Sequence, residues 1–306
     1  MYGNRYVDLG CACRRISQGK YSNAGQTCIA PDYALVHSSI KDRFVAEMKK
    51  TIVEQFGEDP SSCPSYGRII NNMHWDRVTK LLSTKAGQVL HGGQSDKATR
   101  YIAPTMVDMG SVAAGNGKAG EALASGLMTE EIFGPVLPIV TVDSMAEAIA
   151  FVNARPKPLA AYVFSSDSST TRSVVQQTTS GSCCVNDAMF QYLNNNLPFG
   201  GVGNSGIGAY HGHASFLEFS HAKSVLEHST FFDLLPPYNL RYAPVRSPAL
   251  PTLSSPFLLL ALSCRTIAQA TAAVLDSAWL CVCACAWTCR LCSTRTSPGC
   301  AICSIC

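Results

Sequence analysis

An alternation of short apolar segments with amphipathic ones constrains the fold of this chain most, and it extends from Cys28 to about residue 225. Residues 136–142, VLPIVTV, are a continuous apolar run, as expected of a strand buried on both faces of a sheet. Asp143 and Ser144 follow it and lead into MAEAIAFVNA, which has the composition of a helix. The alternation predicts an α/β fold, with a parallel sheet and helices on both of its faces.

Further segments fit this pattern, and two do not. Strands are predicted at 29–37, 88–93 and 159–165, and helix N-terminal caps at Ser38 or Ser39, at Asn71 or Asn72, and at Asp167. Residues 110–126, GSVAAGNGKAGEALASG, are rich in glycine and alanine, which predicts a flexible surface insertion. From about residue 236 the chain is rich in proline, which predicts the end of the domain.

Composition and charge narrow the class of protein. The 306 residues are 47% hydrophobic, enough for a sizeable core. The formal net charge of +3 is too small to indicate nucleic acid or a membrane surface as the main partner. The amino terminus, MYGNRYVDLG, has no apolar segment like that of a signal peptide, so we expect a cytoplasmic location in which cysteines remain thiols.

Cys28 lies in SNAGQTCIA, where small residues on both sides would leave room for a substrate and allow a tight turn. The residues alone leave two interpretations of this thiol open. Free cysteines are among the most deeply buried residue types, which favours an inert core position. A nucleophile would instead need access for a substrate and a nearby cation, base or helix N-terminus that lowers its pKa.

The segment TEEIFGPVLPIV, residues 129–140, places two carboxylates and Phe133 directly before the buried strand. It is either a ligand site at the end of that strand or a solvated acidic turn whose aromatic side chain joins the core. His211 and His213 form H-x-H further along, but no third ligand is evident near them in the sequence, so we predict no metal site.

The segment LPFGGVGNSGIG, residues 197–208, contains the pattern G-x-G-x-x-G from Gly201 to Gly206. Pro198 and Phe199 stand where the strand of a dinucleotide-binding motif should be, and no helix is predicted to begin at Gly206. A glycine loop that lets another part of the chain approach closely explains the pattern better.

Together these segments resemble the aldehyde dehydrogenase superfamily, most closely its class 3 or fatty aldehyde dehydrogenases. The resemblance covers roughly residues 11–243, and the matching stretches occur in the order of the family. They are CRRISQGKYSNAGQTCIAPDY, YGRIIN, RYIAPT, EEIFGPVLPIV, KPLAAYVFS, LPFGGVGNSGIGAYHG and SFLEFSH.

The resemblance implies a role for several residues. Cys28, in NAGQTC, matches the family nucleophile, which attacks an aldehyde carbonyl to give a thiohemiacetal. This adduct passes a hydride to NAD or NADP and leaves a thioester, which water cleaves to a carboxylic acid. Glu131 matches the residue that holds the nicotinamide-side ribose, and Phe133 the aromatic residue beside the nicotinamide. Phe199, Gly200 and Gly201 match a loop near the active site.

The family pattern is incomplete in this sequence. Family members carry, upstream of the cysteine, a Rossmann-like NAD(P) domain, an oxyanion-binding asparagine and an E-L-G-G-K motif with the general-base glutamate, and none precedes Cys28. An oxyanion donor contributes on the order of 10²–10³ in rate and a general base roughly 10²–10⁴. We therefore expect a C-terminal, catalytic-domain portion with little turnover alone. The alternative is a catalytically dead partner of full-length subunits, and a complete protein would be a homo-oligomer.

This interpretation divides the chain into three parts: a remnant of the cofactor-domain junction at 1–20, the catalytic domain at 21–245, and a tail at 246–306. The tail contains nine of the fifteen cysteines and the apolar stretches FLLLALSC and AWLCVCACAWTC. Charged and polar residues interrupt its apolar segments, which makes membrane insertion marginal. Membrane association, zinc or copper binding, S-acylation and a tail without a selected fold remain open.

Overall fold

The computed structural model describes residues 2–3, 8–84, 87–114 and 118–228. Residues 1–223 form one compact unit, and residues 224–228 are the described part of a second. The prediction of a domain end near residue 236, the boundary at 245 and the tail at 246–306 lie outside the described residues. No helix within the described ranges is long and apolar enough to cross a membrane.

The described residues form a seven-stranded sheet and a separate two-stranded one. The strands are β1 (Tyr2–Gly3), β2 (Ala34–His37), β3 (Gln88–His91), β4 (Ser95–Asp96), β5 (Tyr101–Ile102), β6 (Thr105–Ser111), β7 (Val136–Val142), β8 (Ala160–Phe164) and β9 (Ser182–Val185). The large sheet has the order β3-β6-β7-β2-β1-β8-β9. Its pairs are parallel apart from the edge strand β3, which pairs antiparallel with β6, so the sheet is mixed and mostly parallel.

The α-helices among the described residues are α1 (Leu9–Tyr21), α2 (Lys41–Phe56), α3 (Asn72–Ser83), α4 (Lys118–Leu123), α5 (Gly126–Thr129), α6 (Met145–Asn153), α7 (Ser168–Gln177) and α8 (Gly212–Glu218). Of the two candidate caps for α3, the side chain of Asn71 accepts the His74 amide at 2.9 Å. Asp167 caps α7 by accepting the amides of Ser169 and Thr170. Both helices therefore begin where the sequence predicts.

The core has two parts, one on each face of the sheet, because neighbouring strand residues point in opposite directions. In β2, Val36 belongs to a cluster with Ile16 of α1 and Met48 of α2. Leu35 belongs to the other cluster, with residues of α3, α5 and α6 such as Val78. All seven residues of β7 are buried. The prediction of an α/β fold with helices on both faces of the sheet is confirmed.

Three local predictions were wrong. Neither Ser38 nor Ser39 caps α2: both lie in a 3-10 turn, Ser38–Ile40, in which His37 Nδ1 accepts the Ser39 amide, and Ile40 precedes α2 without a side-chain hydrogen bond to it.

The strand expected at 29–37 begins only at Ala34, because Pro31 has no amide hydrogen to donate and the residues around it form a turn and an irregular segment. The flexible insertion expected at 110–126 is instead the end of β6, then α4 and the start of α5 over its described residues. Ala122 of this segment and Leu127 directly after it are buried in the core, so α4 and α5 pack as part of the unit.

We expected residues 1–20 to be a remnant of a cofactor-domain junction. This range contains β1 and all of helix α1 except its last residue, Tyr21. In the structure, β1 lies between β2 and β8 and pairs with both of them. Helix α1 packs on α2 and buries Cys13 and Ile16 completely. These elements belong to the same compact unit as the rest of the sheet.

Candidate functional site

Cys28 lies in the connection between α1 and β2, and its side chain is exposed. Three consecutive residues before it, Asn23, Ala24 and Gly25, have φ angles of 51°, 52° and 74°. This left-handed run is unusual for residues other than glycine and turns the chain sharply after α1. The turn brings the thiol to the surface, so the inert core position considered from composition does not apply.

The side chain of Gln26 fixes the conformation of this turn. Its Nε2 donates to the carbonyl oxygens of Asn23 and Arg68 at 2.9 and 3.0 Å, and its Oε1 accepts the amide of Ile70 at 2.9 Å. Asn23 Nδ2 in turn donates to the Gln26 carbonyl at 3.0 Å. Gln26 thus ties the cysteine turn to the segment before α3. Sequence reasoning assigned it no role, and its place within NAGQTC was the only available signal.

The segment from Glu131 to Pro135 packs directly on the cysteine turn. A Cβ atom at Gly25 would lie 2.3 Å from the carbonyl oxygen of Gly134, so the two backbones approach as only glycine allows. Strands β2 and β7 are parallel neighbours, and Cys28 and Glu131 precede them by a few residues each. The amino-terminal ends of adjacent parallel strands lie at one edge of a sheet, which brings the two motifs together.

Two side chains hold the backbone of this second segment. Asp32 Oδ1 accepts the Ile132 amide at 3.1 Å. Arg77, from α3, donates to the carbonyl oxygens of Glu131 at 3.2 Å and Ile132 at 2.6 Å. Phe133 has a φ of 44°, a conformation that a bulky residue adopts only when its surroundings impose it.

A cavity of about 860 Å³ is lined by Cys28, Glu131 and Phe133 together. Phe133 is 40% exposed, so its ring faces open space beside the thiol's cavity and does not join the core. The structure therefore brings three of the sequence-predicted site residues to one cavity. Much of the remaining wall is apolar and includes Ile29, Leu35, Met128, Met145, Ala148, Ile149, Val152 and Val174.

Phe199, Gly200 and Gly201 do not line this cavity, although Asn204 and Ser205 from the same loop do. Phe199 exchanges two backbone hydrogen bonds with Tyr210, at 2.8 and 2.9 Å. A Cβ atom at Gly200 would lie 2.1 Å from the Gly208 carbonyl oxygen, so the loop folds closely on itself. Residues 203–205 form a single 3-10 turn and α8 begins only at Gly212, which fits a close-packed glycine loop.

Lys20, Asp32 and Glu131 are three of the ionisable groups that line the cavity. Lys20 is buried, which lowers the pKa of its ammonium to about 8, while Asp32 and Glu131 oppose this shift. Burial raises the pKa of the Asp32 carboxyl, with Lys20 and the Ile132 amide acting in the other direction. Partial burial, followed by the charge of Asp32, raises the pKa of Glu131. These three groups influence one another and form a charged cluster beside the two motifs.

Tyr162, from β8, also lines the cavity and holds the residue after the cysteine. Its hydroxyl donates to the Ile29 carbonyl at 2.6 Å and accepts from Gln191 Nε2 at 3.2 Å. Burial raises the pKa of Tyr162 to about 12, so this hydroxyl keeps its proton at neutral pH. Sequence reasoning missed Lys20, Asp32, Arg77 and Tyr162. Only Asp32 carried a signal, as a lone charge within the largely apolar IAPDYALVH.

The arrangement suits nucleophilic chemistry on an electrophilic carbon. It combines an exposed thiol, a cavity with apolar walls, an exposed aromatic ring and a carboxylate that can accept hydrogen bonds. Within the described residues, no group of three or more histidine, cysteine, aspartate or glutamate side chains is placed to hold a metal ion.

The sequence profile of the aldehyde dehydrogenase family matches residues 5–225. The chain is 44% identical over 244 residues to 4,4'-diaponeurosporen-aldehyde dehydrogenase of Staphylococcus aureus, covering 79% of this chain and 51% of that protein. It is 47% identical over 229 residues to the dimeric NADP-preferring aldehyde dehydrogenase of Mus musculus, covering 74% of this chain and 48% of the other. The chain therefore spans about half the length of these relatives.

Solved structures show the same likeness. The substrate-bound state of Staphylococcus aureus AldH superimposes with a TM-score of 0.67 at 42% identity, covering 78% of this chain and 50% of that one. An NAD-dependent aldehyde dehydrogenase from Sinorhizobium meliloti superimposes with a TM-score of 0.63 at 28% identity, covering 75% of this chain and 45% of that one.

Proposed function

The chain belongs to the aldehyde dehydrogenase family, and we propose that it takes part in the oxidation of aldehydes to carboxylic acids with Cys28 as the nucleophile. The observation that carries this proposal is the shared cavity: an exposed thiol, Glu131 and Phe133 meet there through two loops in backbone contact.

Cys28 Sγ, as the thiolate, forms a bond to the carbonyl carbon of the aldehyde, and the electron pair of the C=O bond moves to oxygen. The product is a thiohemiacetal held on the chain. After the carbon has lost its hydride, the acyl group stays on Cys28 as a thioester until water cleaves it. Gln26 and Tyr162 keep the turn around Cys28 in one conformation, which holds the thiol at the cavity during these steps.

Two residues that share the cavity with the thiol fit the nicotinamide end of NAD or NADP, which when bound supplies the hydride acceptor. The Glu131 carboxylate can accept hydrogen bonds from ribose hydroxyls, and the exposed Phe133 ring offers a flat apolar surface beside the thiol's cavity. Glu131 and Phe133 are therefore the residues that would hold this part of the cofactor.

The apolar walls favour aldehydes with hydrocarbon chains. Helix α6 contributes Met145, Ala148, Ile149 and Val152 to the cavity, and burial of each methylene of a substrate against such residues stabilises binding by about 0.8 kcal/mol. Affinity should therefore increase with the length of an aliphatic aldehyde until the cavity is filled.

The test is an assay of the purified full chain with an aliphatic aldehyde and NAD⁺ or NADP⁺. Formation of the reduced cofactor, which we expect to be slow in this chain alone, should disappear in Cys28→Ser and persist in Cys63→Ser, which changes a partly buried cysteine outside the cavity lining. Reduction that is unchanged in Cys28→Ser would contradict the assignment of the nucleophile. A chain that binds aldehyde at Cys28 but forms no reduced cofactor would retain the binding step of the proposal and lose the oxidation step.

A further inference from the structure

We propose that Asp32, with the buried ammonium of Lys20 as its counter-charge, is a positioning residue that fixes Glu131 and Phe133 beside Cys28. This inference rests on the function proposed above, because that function gives Glu131 and Phe133 their roles. Asp32 and Lys20 themselves need not touch a substrate.

Asp32 acts on the backbone between the two cavity residues. Its Oδ1 accepts the amide of Ile132, at 3.1 Å, and Ile132 is fully buried. Glu131 and Phe133 flank this anchored residue and are both exposed. A fixed amide and a buried side chain at the central position leave the two neighbouring side chains little freedom to leave the cavity.

The conformation of this loop needs outside support. Phe133 has a φ of 44°, which disfavours a bulky side chain unless contacts from elsewhere hold it. Arg77 supplies such contacts to the carbonyl oxygens of Glu131 and Ile132, and Gly25 packs on Gly134. Among these contacts to the loop, Asp32 alone accepts a hydrogen bond, from the Ile132 amide. Arg77 cannot take over this role, because a guanidinium group only donates hydrogen bonds.

Lys20 explains how a carboxylate persists in this location. It lies in the last turn of α1 and is only 1% exposed, so water cannot stabilise its charge well. Its ammonium favours the ionised form of both Asp32 and Glu131, and both carboxylates favour the ammonium. Lys20, Asp32 and Glu131 all line one cavity, so the end of α1 and the segment that carries Glu131 lie at the same site.

The charged groups that face Glu131 are Asp32, Arg77 and Lys20. Removal of the Lys20 charge should raise the pKa of Glu131, since a nearby cation is lost. Removal of the Asp32 charge should lower it, since a nearby anion is lost. General loosening of the loop would instead expose Glu131 to water and lower its pKa in both variants. The direction of the Glu131 pKa shift in Lys20→Met therefore distinguishes an effect of charge, a rise, from a merely structural effect, a fall.

The experiment uses the full chain with ¹³C-labelled glutamate carboxyls and follows the Glu131 titration by NMR, with Glu131→Gln to assign the signal. We expect Lys20→Met and Asp32→Asn to shift the Glu131 midpoint in opposite directions, each by at least ~0.5 pH unit, about threefold in the ionisation constant. Hydrogen exchange of the Ile132 amide should accelerate at least ~10-fold in Asp32→Ala and little in Asp32→Asn, whose side-chain carbonyl still accepts the amide.

Opposite midpoint shifts together with retained protection in Asp32→Asn support the proposal. Shifts in the same direction, no shifts, or equal exchange in the Asn and Ala variants would overturn it. If Lys20→Met does not fold, the comparison of Asp32→Asn with Asp32→Ala decides the matter. None of these measurements requires turnover. A negative result here therefore does not bear on the Cys28 assay, and a negative Cys28 assay does not prevent these measurements from being interpreted.

Discussion

At the scale of single residues, the cysteine turn depends on Gly25. Alanine there would place a Cβ atom 2.3 Å from the Gly134 carbonyl oxygen, at a φ of 74°. Gly57 also has a positive φ, 81°, and a Cβ atom added there would have nothing within 4 Å, so Gly57→Ala is a control for the positive φ without a collision.

We expect Gly57→Ala to lower the free energy of unfolding by roughly 1–3 kcal/mol, the cost of a strained backbone at a positive φ. Gly25→Ala should cost roughly a further 1–3 kcal/mol, because the collision forces two backbones apart. It should also slow alkylation of Cys28, while Gly57→Ala should not. Urea denaturation and alkylation rates check this, and equal effects of the two variants would show that the approach of the backbones is unimportant.

Cys13 gives the stability of the protein a dependence on alkaline pH. It is fully buried on α1, and burial raises the pKa of its thiol from 9.0 to about 12. The pKa of this thiol is higher in the folded protein than in the unfolded chain. Its contribution to the stability of the fold is therefore fully present below pH 9 and is lost as the pH rises towards 12.

Ionisation of this one thiol should change the free energy of unfolding by at most about 1.4 kcal/mol per pH unit. The stability difference between the wild type and Cys13→Ala should therefore shrink as the pH rises from about 8 to about 10, measured by urea denaturation at each pH. Parallel pH profiles for the two proteins would be inconsistent with a buried, protonated Cys13.

The predictability of the site differs from residue to residue. Cys28, Glu131 and Phe133 stand in long motifs, so the sequence alone singled them out, and the structure brings all three to one cavity. Lys20 and Asp32 were missed because a lone charge in a sequence is usually solvated, and burial depends on contacts between distant segments. The roles of Phe199, Gly200 and Gly201 remain predictions, since none of them lines the cavity.

At the scale of elements, helix α3 carries Arg77 to the Glu131 loop, and its start is defined by Asn71. Asn71→Ala should lower the free energy of unfolding by about 1 kcal/mol, because the His74 amide loses its acceptor. Asn72→Ala, one residue further into the helix, is the control and should change it by less than ~0.5 kcal/mol. Thermal or urea unfolding checks both variants. A larger loss of stability in Asn72→Ala than in Asn71→Ala would show that Asn71 is not the cap.

Segments with a strong apolar pattern were predicted correctly, and segments with a weaker pattern were not. The apolar run at 136–142 coincides with β7 because every residue in it is buried, so hydrophobicity alone defines the strand. At 29–37 Pro31 and Asp32 interrupt the apolar pattern, and the segment is divided between an irregular cavity wall and a short strand. At 110–126 small residues indicated a loop, but alanine is also the best helix former, and tertiary packing decides between the two.

At the scale of the whole unit, the site lies at the amino-terminal edge of adjacent strands β2 and β7. Ligand sites in open α/β sheets usually lie at the carboxyl ends, so general rules of fold architecture would have directed attention to the opposite edge. The order of the strands explains the location, because it makes two segments about 100 residues apart in sequence into neighbours. Strand order depends on long-range pairing, which the local pattern of this sequence does not contain.

The central claim is that Cys28 is the nucleophile of an aldehyde site, and its most direct test is competition for the thiol. The full chain is treated with an alkyl bromomethyl ketone, with and without an aliphatic aldehyde, and the modified cysteines are identified by peptide mass spectrometry. We predict that Cys28 is alkylated faster than Cys11, Cys63, Cys183 and Cys184, and that the aldehyde slows alkylation at Cys28 alone. Alkylation of Cys28 no faster than of these other thiols, or at a rate that aldehyde does not change, would contradict the claim.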